Sequence, residues 1–398
     1  MAVSVLYISY DGIMEPIGAS QVWQYVKGLA GEYAVILLTY EKPEDLQDRK
    51  RYSAMRDEAR ARNVLWVALL YHKTPSLLAT LCDITTGIFV SFYLCLARRI
   101  QIVHARSYIA SSVALWLKLI LRKKFIFDMR GFWADERLEI GQFNIRSAVY
   151  RIFKWFEKRF LLNADCIVSL TLSGAKEIKK LSFMKDQNKR LAVIPTCVDL
   201  DLFKPDFSGG SRDKSVFTVA IVGNIKGLYL FDEMLDFFKI LTEKLPSAKL
   251  LFLNRGEHAF IREKLKTHDI PLQSAAIKEV EHSRVGREIV HADAGLFFIK
   301  PTFSKTASMP TKLGEFLACG IPCVTNYGIG DTESIIEGSR IGVVLKGFAR
   351  QQKENAAREL FAVTEDKELK NRCRKKAEEY FSLKKGVSSY KDIYRQLL

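Results

Sequence analysis

The sequence predicts an α/β protein built of two doubly wound, Rossmann-like domains, and three observations carry that expectation. The first is length: 398 residues exceed one ordinary core and suit two domains of roughly 150–200 residues each. The second is a chain-long alternation of short apolar runs with stretches of helical spacing. That alternation marks βαβ units whose parallel sheet is covered on both faces. The third is an interruption at Pro205–Ser215, PDFSGGSRDKS, which has the polar, glycine-rich composition of a linker.

In the first half, Val3–Ser9, Tyr33–Leu38, Val64–Leu70, Ile102–His104, Lys124–Asp128, Cys166–Leu170 and Leu191–Ile194 read as strands. Helical spacing runs through Ser20–Leu29, Arg51–Ala61, Ser76–Ala97, Ala110–Leu121 and the strongly amphipathic Ile145–Leu162. In the second half, strands are expected at Phe217–Val222, Lys249–Leu253, Ala292–Phe298, Cys323–Thr325 and Gly342–Val344. Helices are expected at Leu230–Glu243, Ala259–His268 and Lys312–Ala318, with further helices from Val344 to the C-terminus. Two such domains meeting at a cleft would bind ligands outside the carboxyl ends of their strands.

Composition narrows the function classes. An apolar share of 48% and a charged share of 27%, without low-complexity tracts, fit two packed cores and exclude intrinsic disorder. Lys and Arg exceed Asp and Glu by 61 to 45, giving +16, an excess that favours polyanions such as nucleic acid, anionic headgroups or phosphorylated substrates. The basic residues interleave with aromatic and aliphatic ones, in Arg146–Phe160 (RSAVYRIFKWFEKRF) and Leu117–Phe127 (LKLILRKKFIF). That suits an interfacial helix or a basic rim beside an apolar surface; no recognition motif for nucleic acid is present, and none is expected as a partner.

Cys82, Cys95, Cys166, Cys197, Cys319, Cys323 and Cys373 include no CxxC pair, so neither a zinc set nor a disulfide framework is expected, and a reduced cytosol fits. The opening MAVSVLYISYDG has no basic residue before its apolar run and reads as a first strand, not a signal peptide. Thr74–Ala97 is long enough to span a membrane, but Asp83 near its centre costs about 2.5–3.5 kcal/mol on insertion scales. A buried or interface-dipping helix is the expectation there.

Four segments gather chemistry at strand ends. Tyr10–Gln21, YDGIMEPIGASQ, places Gly18-Ala19-Ser20 just before a helix start, where backbone N–H groups could meet a phosphate or sugar oxygen; from these residues alone an ordinary βα turn is the favoured reading. IVHARSY at Ile102–Tyr108 and FIFDMRGFWADE at Phe125–Glu136 put His104, Arg106, Asp128 and Arg130 directly after strands. Asp128 could contact hydroxyls while Arg130 faces phosphate, or the two could form a plain salt bridge, with His104 structural. Gly223-Asn224-Ile225-Lys226-Gly227 has the form of a phosphate-binding turn, with Lys226 supplying charge. In the fourth, SMPTKLGEFLACGIP from Ser308 to Pro322, Ser308 and Thr311 could cap a helix that Gly320 ends. Its N-terminus, with Lys312, would make an anion site, and Glu315 could bind ribose hydroxyls; a plain capped helix remains the alternative.

The run PTKLGEFLACGIPCVTNYGIGDTESII, with VIPTCVDLDLFKP at Val193–Pro205, resembles glycosyltransferase family 4 of the GT-B fold. YDGIMEPIGASQV, HARSY and FDMRGFWADE resemble bacterial members from surface-polysaccharide loci, so matching segments extend from Ser9 to about Val344. The resemblance implies an acceptor-binding domain at 1–190, a linker region at 191–215, a nucleotide-sugar domain at 216–375 and a helix at 376–398 that crosses back. It implies donor contacts from Gly18, Gly223, Asn224, Lys226, Ser308, Thr311, Lys312, Leu313 and Glu315. Asp128, Lys226 and Glu315 would be catalytic, and His104, Arg106 and Arg130 would lie on the acceptor side.

Two departures stand out: Ala307 occupies the place of the family's first glutamate, and Asn224 that of a frequent arginine. The implied reaction is a retaining sugar transfer from a UDP- or GDP-sugar to a saccharide acceptor, lipid-linked by expectation, without metal or cofactor. Asp199-Leu200-Asp201 has DxD spacing but belongs to the VDLDLF pattern. The expected location is cytoplasmic, peripheral on the inner membrane face beside anionic lipids. The competing readings are a nucleotide-sugar 2-epimerase of the same fold and a two-lobed sugar- or nucleotide-binding protein without catalysis.

Overall fold

The computed structural model describes residues 3–74, 76–206 and 216–398, so residues 207–215 of the expected linker lie outside the described residues. Two compact units form: Met1–Pro195 together with Leu383–Leu398, and Thr196–Ser382.

The first unit carries seven parallel strands: β1 Ser4–Ser9, β2 Ala34–Glu41, β3 Leu65–Leu70, β4 Ile102–Arg106, β5 Lys124–Asp128, β6 Cys166–Ser169 and β7 Arg190–Val193. Their order is β3-β2-β1-β4-β5-β6-β7, so the direction of winding reverses between β1 and β4. The central strands are buried on both faces, as continuous apolar runs require. The helix Leu383–Leu397 completes this unit by packing on Gln24–Leu29; a Cβ on Gly28 would lie 2.7 Å from Val387. Lys391 and Arg395 then pair with Glu32 at 2.6 and 3.0 Å.

The second unit has six parallel strands: β8 Thr218–Val222, β9 Lys249–Leu253, β10 Ala275–Lys278, β11 Ala294–Leu296, β12 Cys323–Asn326 and β13 Gly342–Leu345. Their order is β10-β9-β8-β11-β12-β13, with the reversal between β8 and β11. Its core gathers Ile221, Leu235, Phe237, Phe252, Leu296 and Phe298 around the sheet.

Differences from the sequence reading have local causes. The first helix begins at Pro16, not Ser20, and passes through a π-helical stretch, Ala19–Trp23, before Gln24–Leu29. Pro16 suits a first helical position because it lacks the N–H that would otherwise be orphaned. Gly18 therefore lies in the first turn, where a Cβ would collide with the Gly12 carbonyl. The same loop is pinned by Glu41, a buried carboxylate that accepts from the Ile13 and Met14 amides at 2.8 and 3.2 Å. β10 and the His282–Ile289 helix escaped notice: the first is four half-exposed residues at a sheet edge, the second about two mostly polar turns.

Asp83, the one charge in Ser76–Ala97, faces inward. It accepts from the Tyr10 hydroxyl at 2.7 Å and bonds His72 Nδ1 at 2.6 Å. Gly18 is thus a packing requirement, and Gly18→Ala is expected to destabilise the first unit by about 1–3 kcal/mol, the usual cost of overpacking. Thermal unfolding of the variant should show a drop of several degrees; an unchanged transition would contradict this packing.

Candidate active site

In each unit the reversal in strand order marks where ligands bind in such sheets. In the second unit the loop after β8 and the helix after β11 flank that point.

After β8 the chain turns at Gly223, with φ +79°, and again at Gly227, with φ +77°, both left-handed positions that glycine adopts without penalty. Ile225 is buried and anchors the turn, leaving Asn224 and Lys226 exposed. Asn254 donates to the Gly223 carbonyl at 3.0 Å, and Glu257 accepts from the Ile225 amide at 3.0 Å. The Lys226 ammonium rests over the Phe260 ring, 4.5 Å from its centroid, a cation–π contact on the neighbouring Thr267-ending helix.

The helix Thr311–Ala318 follows β11 through a short 3₁₀ turn, Phe303–Ala307. Asn326 fixes this approach by bonding both the amide and the carbonyl of Ile299 at 2.8 Å. The expected caps are not made. The N-cap is Pro310, which has no capping side chain, Thr311 is already helical, and Ser308 Oγ turns back to the Ser304 carbonyl at 3.4 Å. The first N–H groups of this helix therefore lack the side-chain acceptor that usually satisfies them. Gly320, φ +76°, ends the helix. Leu313 is fully buried, and only its backbone is available to a ligand.

Lys312 is the decisive side chain. It is only 8% exposed, and among the described residues no carboxylate pairs with it. Its ammonium lies over the Tyr229 ring, 4.1 Å from the centroid, and 3.8 Å from where a Cβ on Gly223 would stand. The structure thus brings Lys312, the Gly223 turn and the uncapped helix start together, while Lys226 stands off on Phe260. One turn further, Glu315 is buried and its Oε1 is 2.9 Å from His282 Nε2. Phe203 holds the imidazole from its side, with ring centroids 5.4 Å apart. His282 was not singled out from sequence, since it sits in a polar run far from Glu315 and nothing in that run signals the contact. Ala307 is buried in the turn before the helix. Asp199 of the DxD-spaced triplet spends its Oδ1 on the Asp201 amide at 2.9 Å, capping its own turn.

In the first unit, β1, β4 and β5 end at the reversal point. Arg106 pairs with Asp11 across the ends of β4 and β1. Ser107 and Arg130, which follow β4 and β5, both adopt left-handed backbone, φ +70° and +61°. Such strain costs about 1–3 kcal/mol per residue and gathers at functional edges. Asp128 and His104 are buried, at 1% and 0% exposure. Asp128 Oδ2 accepts from the Tyr390 hydroxyl at 3.0 Å, its Oδ1 lies 3.8 Å from Arg130, and His104 Nδ1 bonds the Tyr394 hydroxyl at 2.7 Å. These two side chains face the C-terminal helix, not solvent, so within this unit Arg106 and Asp11 are the more accessible pair. Burial opposes the Asp128 charge, but Arg130, then His104 and Arg106, outweigh it and hold the carboxyl below the usual range. Burial also holds the His104 imidazole below its ordinary value, against the pull of Asp128.

Two parallel-sheet α/β units, each with its reversal point, define the GT-B fold. The chain superposes with a TM-score of 0.73 on sucrose-phosphate synthase from Thermosynechococcus elongatus, at 13% identity over 99% of each chain. A glycosyltransferase from Rickettsia africae gives 0.71 at 12% identity, covering 99% of this chain and 98% of that one. HepE from Anabaena, solved in complex with UDP and glucose, gives 0.68 at 12% identity over 98% and 99%. Likenesses at these identities establish the fold. Residues 18–197 match the family model described as a glycosyl transferase 4-like domain. No curated protein matches the chain.

His104 yields a pH prediction. Its native value lies below the unfolded value of about 6.5, so between the two the unfolded chain binds more protons. Stability is complete above the unfolded value and is lost as pH falls through this window. Urea unfolding of the first unit should weaken from pH 7 to 5, and His104→Asn should flatten that slope; an identical slope in the variant would contradict a buried neutral imidazole.

Proposed function

We propose that this chain is a retaining glycosyltransferase that moves a hexosyl group from a nucleotide-sugar donor to a saccharide acceptor carried on a lipid, at the inner face of a membrane. The observation that carries the donor half of this reading is Lys312: a buried ammonium with no carboxylate partner among the described residues, beside a glycine turn and an uncapped helix start. An unpaired buried cation is costly, and a diphosphate supplies the missing charge while accepting from the free N–H groups. HepE, of the same fold, was solved with UDP and glucose, which supports a nucleotide-sugar donor.

In this reading Lys312 and the helix terminus hold the leaving diphosphate, and Lys226 swings from Phe260 to join them, doing the work a divalent cation would do. Glu315 accepts the ribose hydroxyls and His282 orients its carboxylate. As the sugar–phosphate bond lengthens, positive charge grows at the anomeric carbon. The acceptor hydroxyl attacks from the face the phosphate leaves, and a phosphate oxygen takes its proton, so the anomeric configuration is kept. Ser308, Thr311 and the Leu313 backbone contribute donor contacts, and Asn224 lines the turn. Arg106 and Arg130 face the acceptor side, while Asp128 fixes Arg130 electrostatically.

A thermal-shift panel of UDP-, GDP-, ADP- and CMP-sugars tests the donor. One donor at a hundredfold its dissociation constant should stabilise the fold by about 2.7 kcal/mol, and no response to any of them would end the proposal. Glu315→Ala should weaken that donor roughly ten- to a hundredfold, the loss of charge-assisted hydrogen bonds worth about 1.5–3 kcal/mol. His282→Ala should raise the donor KM several-fold with kcat little changed, and His282→Asn should recover part of it. An equal fall in kcat and kcat/KM would assign His282 to the transition state instead. Product analysis with and without acceptor separates transfer from 2-epimerisation, which needs no acceptor.

A further inference from the structure

The Ser76–Ala97 helix is built inside out. A helix on a protein surface ordinarily turns its large apolar residues inward and its polar ones outward. Here Ala79, Asp83, Gly87 and Ser91, spaced by four, are buried against the first unit. The opposite stripe, Leu77, Leu81, Phe89, Tyr93 and Leu96, is 60–73% exposed. Asp83 is the only charged residue in this helix, and it lies on the inner side, bonded to Tyr10 and His72. The Tyr40 hydroxyl donates to the Asp83 carbonyl at 2.9 Å and occupies the space a side chain at Gly87 would need. The helix is therefore fastened to its sheet along its length, and its apolar stripe has no partner among the described residues.

The exposed stripe does not end with this helix. The Ser107–Leu121 helix packs beside it and leaves Trp116, Leu119 and Ile120 exposed. The Ala148–Asn163 helix packs beside that one and exposes Ile152 and Trp155 among Arg151, Lys158 and Arg159. The crossovers β3–β4, β4–β5 and β5–β6 run in one direction along the sheet, so right-handed connection places these three helices on one face. At the far ends of the first two helices stand Arg98, Arg99, Arg122 and Lys124, all exposed, with Arg99 and Arg122 in left-handed backbone.

We propose that this three-helix face docks flat on an anionic lipid bilayer, with the Ser76–Ala97 stripe sunk to the acyl boundary and the basic rim at the headgroups. A contiguous apolar surface of this extent marks an interaction site. A charge-free apolar stripe, interfacial Trp and Tyr, and flanking Arg and Lys are what such a boundary selects. A second copy of the chain would add a further net +16 to a basic face, whereas acidic headgroups supply the opposite charge. The fastening of Asp83 excludes a spanning arrangement: the helix cannot leave its sheet without stranding a carboxylate that the Tyr10 hydroxyl, the His72 amide and the His72 imidazole now hold. The N-terminal end of the helix, near Tyr10 and His72, lies at the carboxyl edge of the sheet, so a docked molecule presents that edge close to the bilayer.

Docking rests on the reading of a lipid-linked acceptor for its purpose, and the test separates the two. The full-length protein is sedimented with phosphatidylcholine vesicles and with phosphatidylcholine vesicles containing phosphatidylglycerol. Binding is expected to the anionic vesicles, to fall as salt is raised, and to drop at least tenfold in Phe89→Asp/Tyr93→Asp. Arg98→Glu/Arg122→Glu should lose the salt-dependent part. Nucleotide-sugar stabilisation, read in the same samples, should be unchanged in all variants: its absence would count against the donor reading and leave docking standing. Wild-type protein that stays in the supernatant, or a Phe89→Asp/Tyr93→Asp variant that binds like wild type, overturns docking. So does a dimer in analytical ultracentrifugation that those substitutions dissociate while vesicles bind neither form.

Discussion

A buried lysine that no carboxylate among the described residues pairs with is the constraint around which the second unit is arranged. Lys312 has given up most of its hydration and recovers part of the loss from the face of Tyr229. The rest of the neighbourhood is shaped to leave room for an anion. Gly223 has no side chain to crowd the ammonium, Asn254 and Glu257 hold the turn open, and Pro310 opens the helix without filling its N-terminal donors. Each feature alone is unremarked in α/β proteins. Their convergence at the strand-order reversal gives the site a sign and a size.

The first unit solves a different problem. Its strand ends gather Tyr7, His104, Asp128 and Arg130 in a space closed by Tyr390 and Tyr394. One anion, Asp128, is balanced mainly by Arg130 and carries the hydrogen bond from Tyr390, so the two strained backbone positions after β4 and β5 are over-determined by their surroundings. The more open Asp11–Arg106 pair then sits on a rigid support.

Most of the fold was legible because parallel strands buried on both faces leave continuous apolar runs, and β5 and β9 match their sequence-read bounds to the residue. What failed was short or half-exposed, such as β10, where burial gives no alternating signal. Site residues were legible where a motif forces backbone geometry, as at Gly223 and Gly320. They were illegible where the contact is tertiary: His282 meets Glu315 through space, and Tyr229 meets Lys312 across a turn. Ser308 and Thr311 misled because a hydroxyl ahead of a helix is a cap only if the chain bends it back over the first turn, and Pro310 sends it elsewhere. Asp83 was read as a defect in an apolar segment; it is the fastening that turns the apolar side outward.

The last helix belongs to the first unit, and this has a consequence for how the chain acquires its shape. While the polypeptide is being made, Tyr7, His104 and Asp128 emerge early, yet the tyrosines that shield them arrive only after the whole second unit. Until those two tyrosines are made, that half of the molecule must wait with an ionised carboxylate and an imidazole open to water. Its completion therefore waits on residues made after the whole second unit, and a chain terminated before them forfeits both halves' integrity, not only the later one.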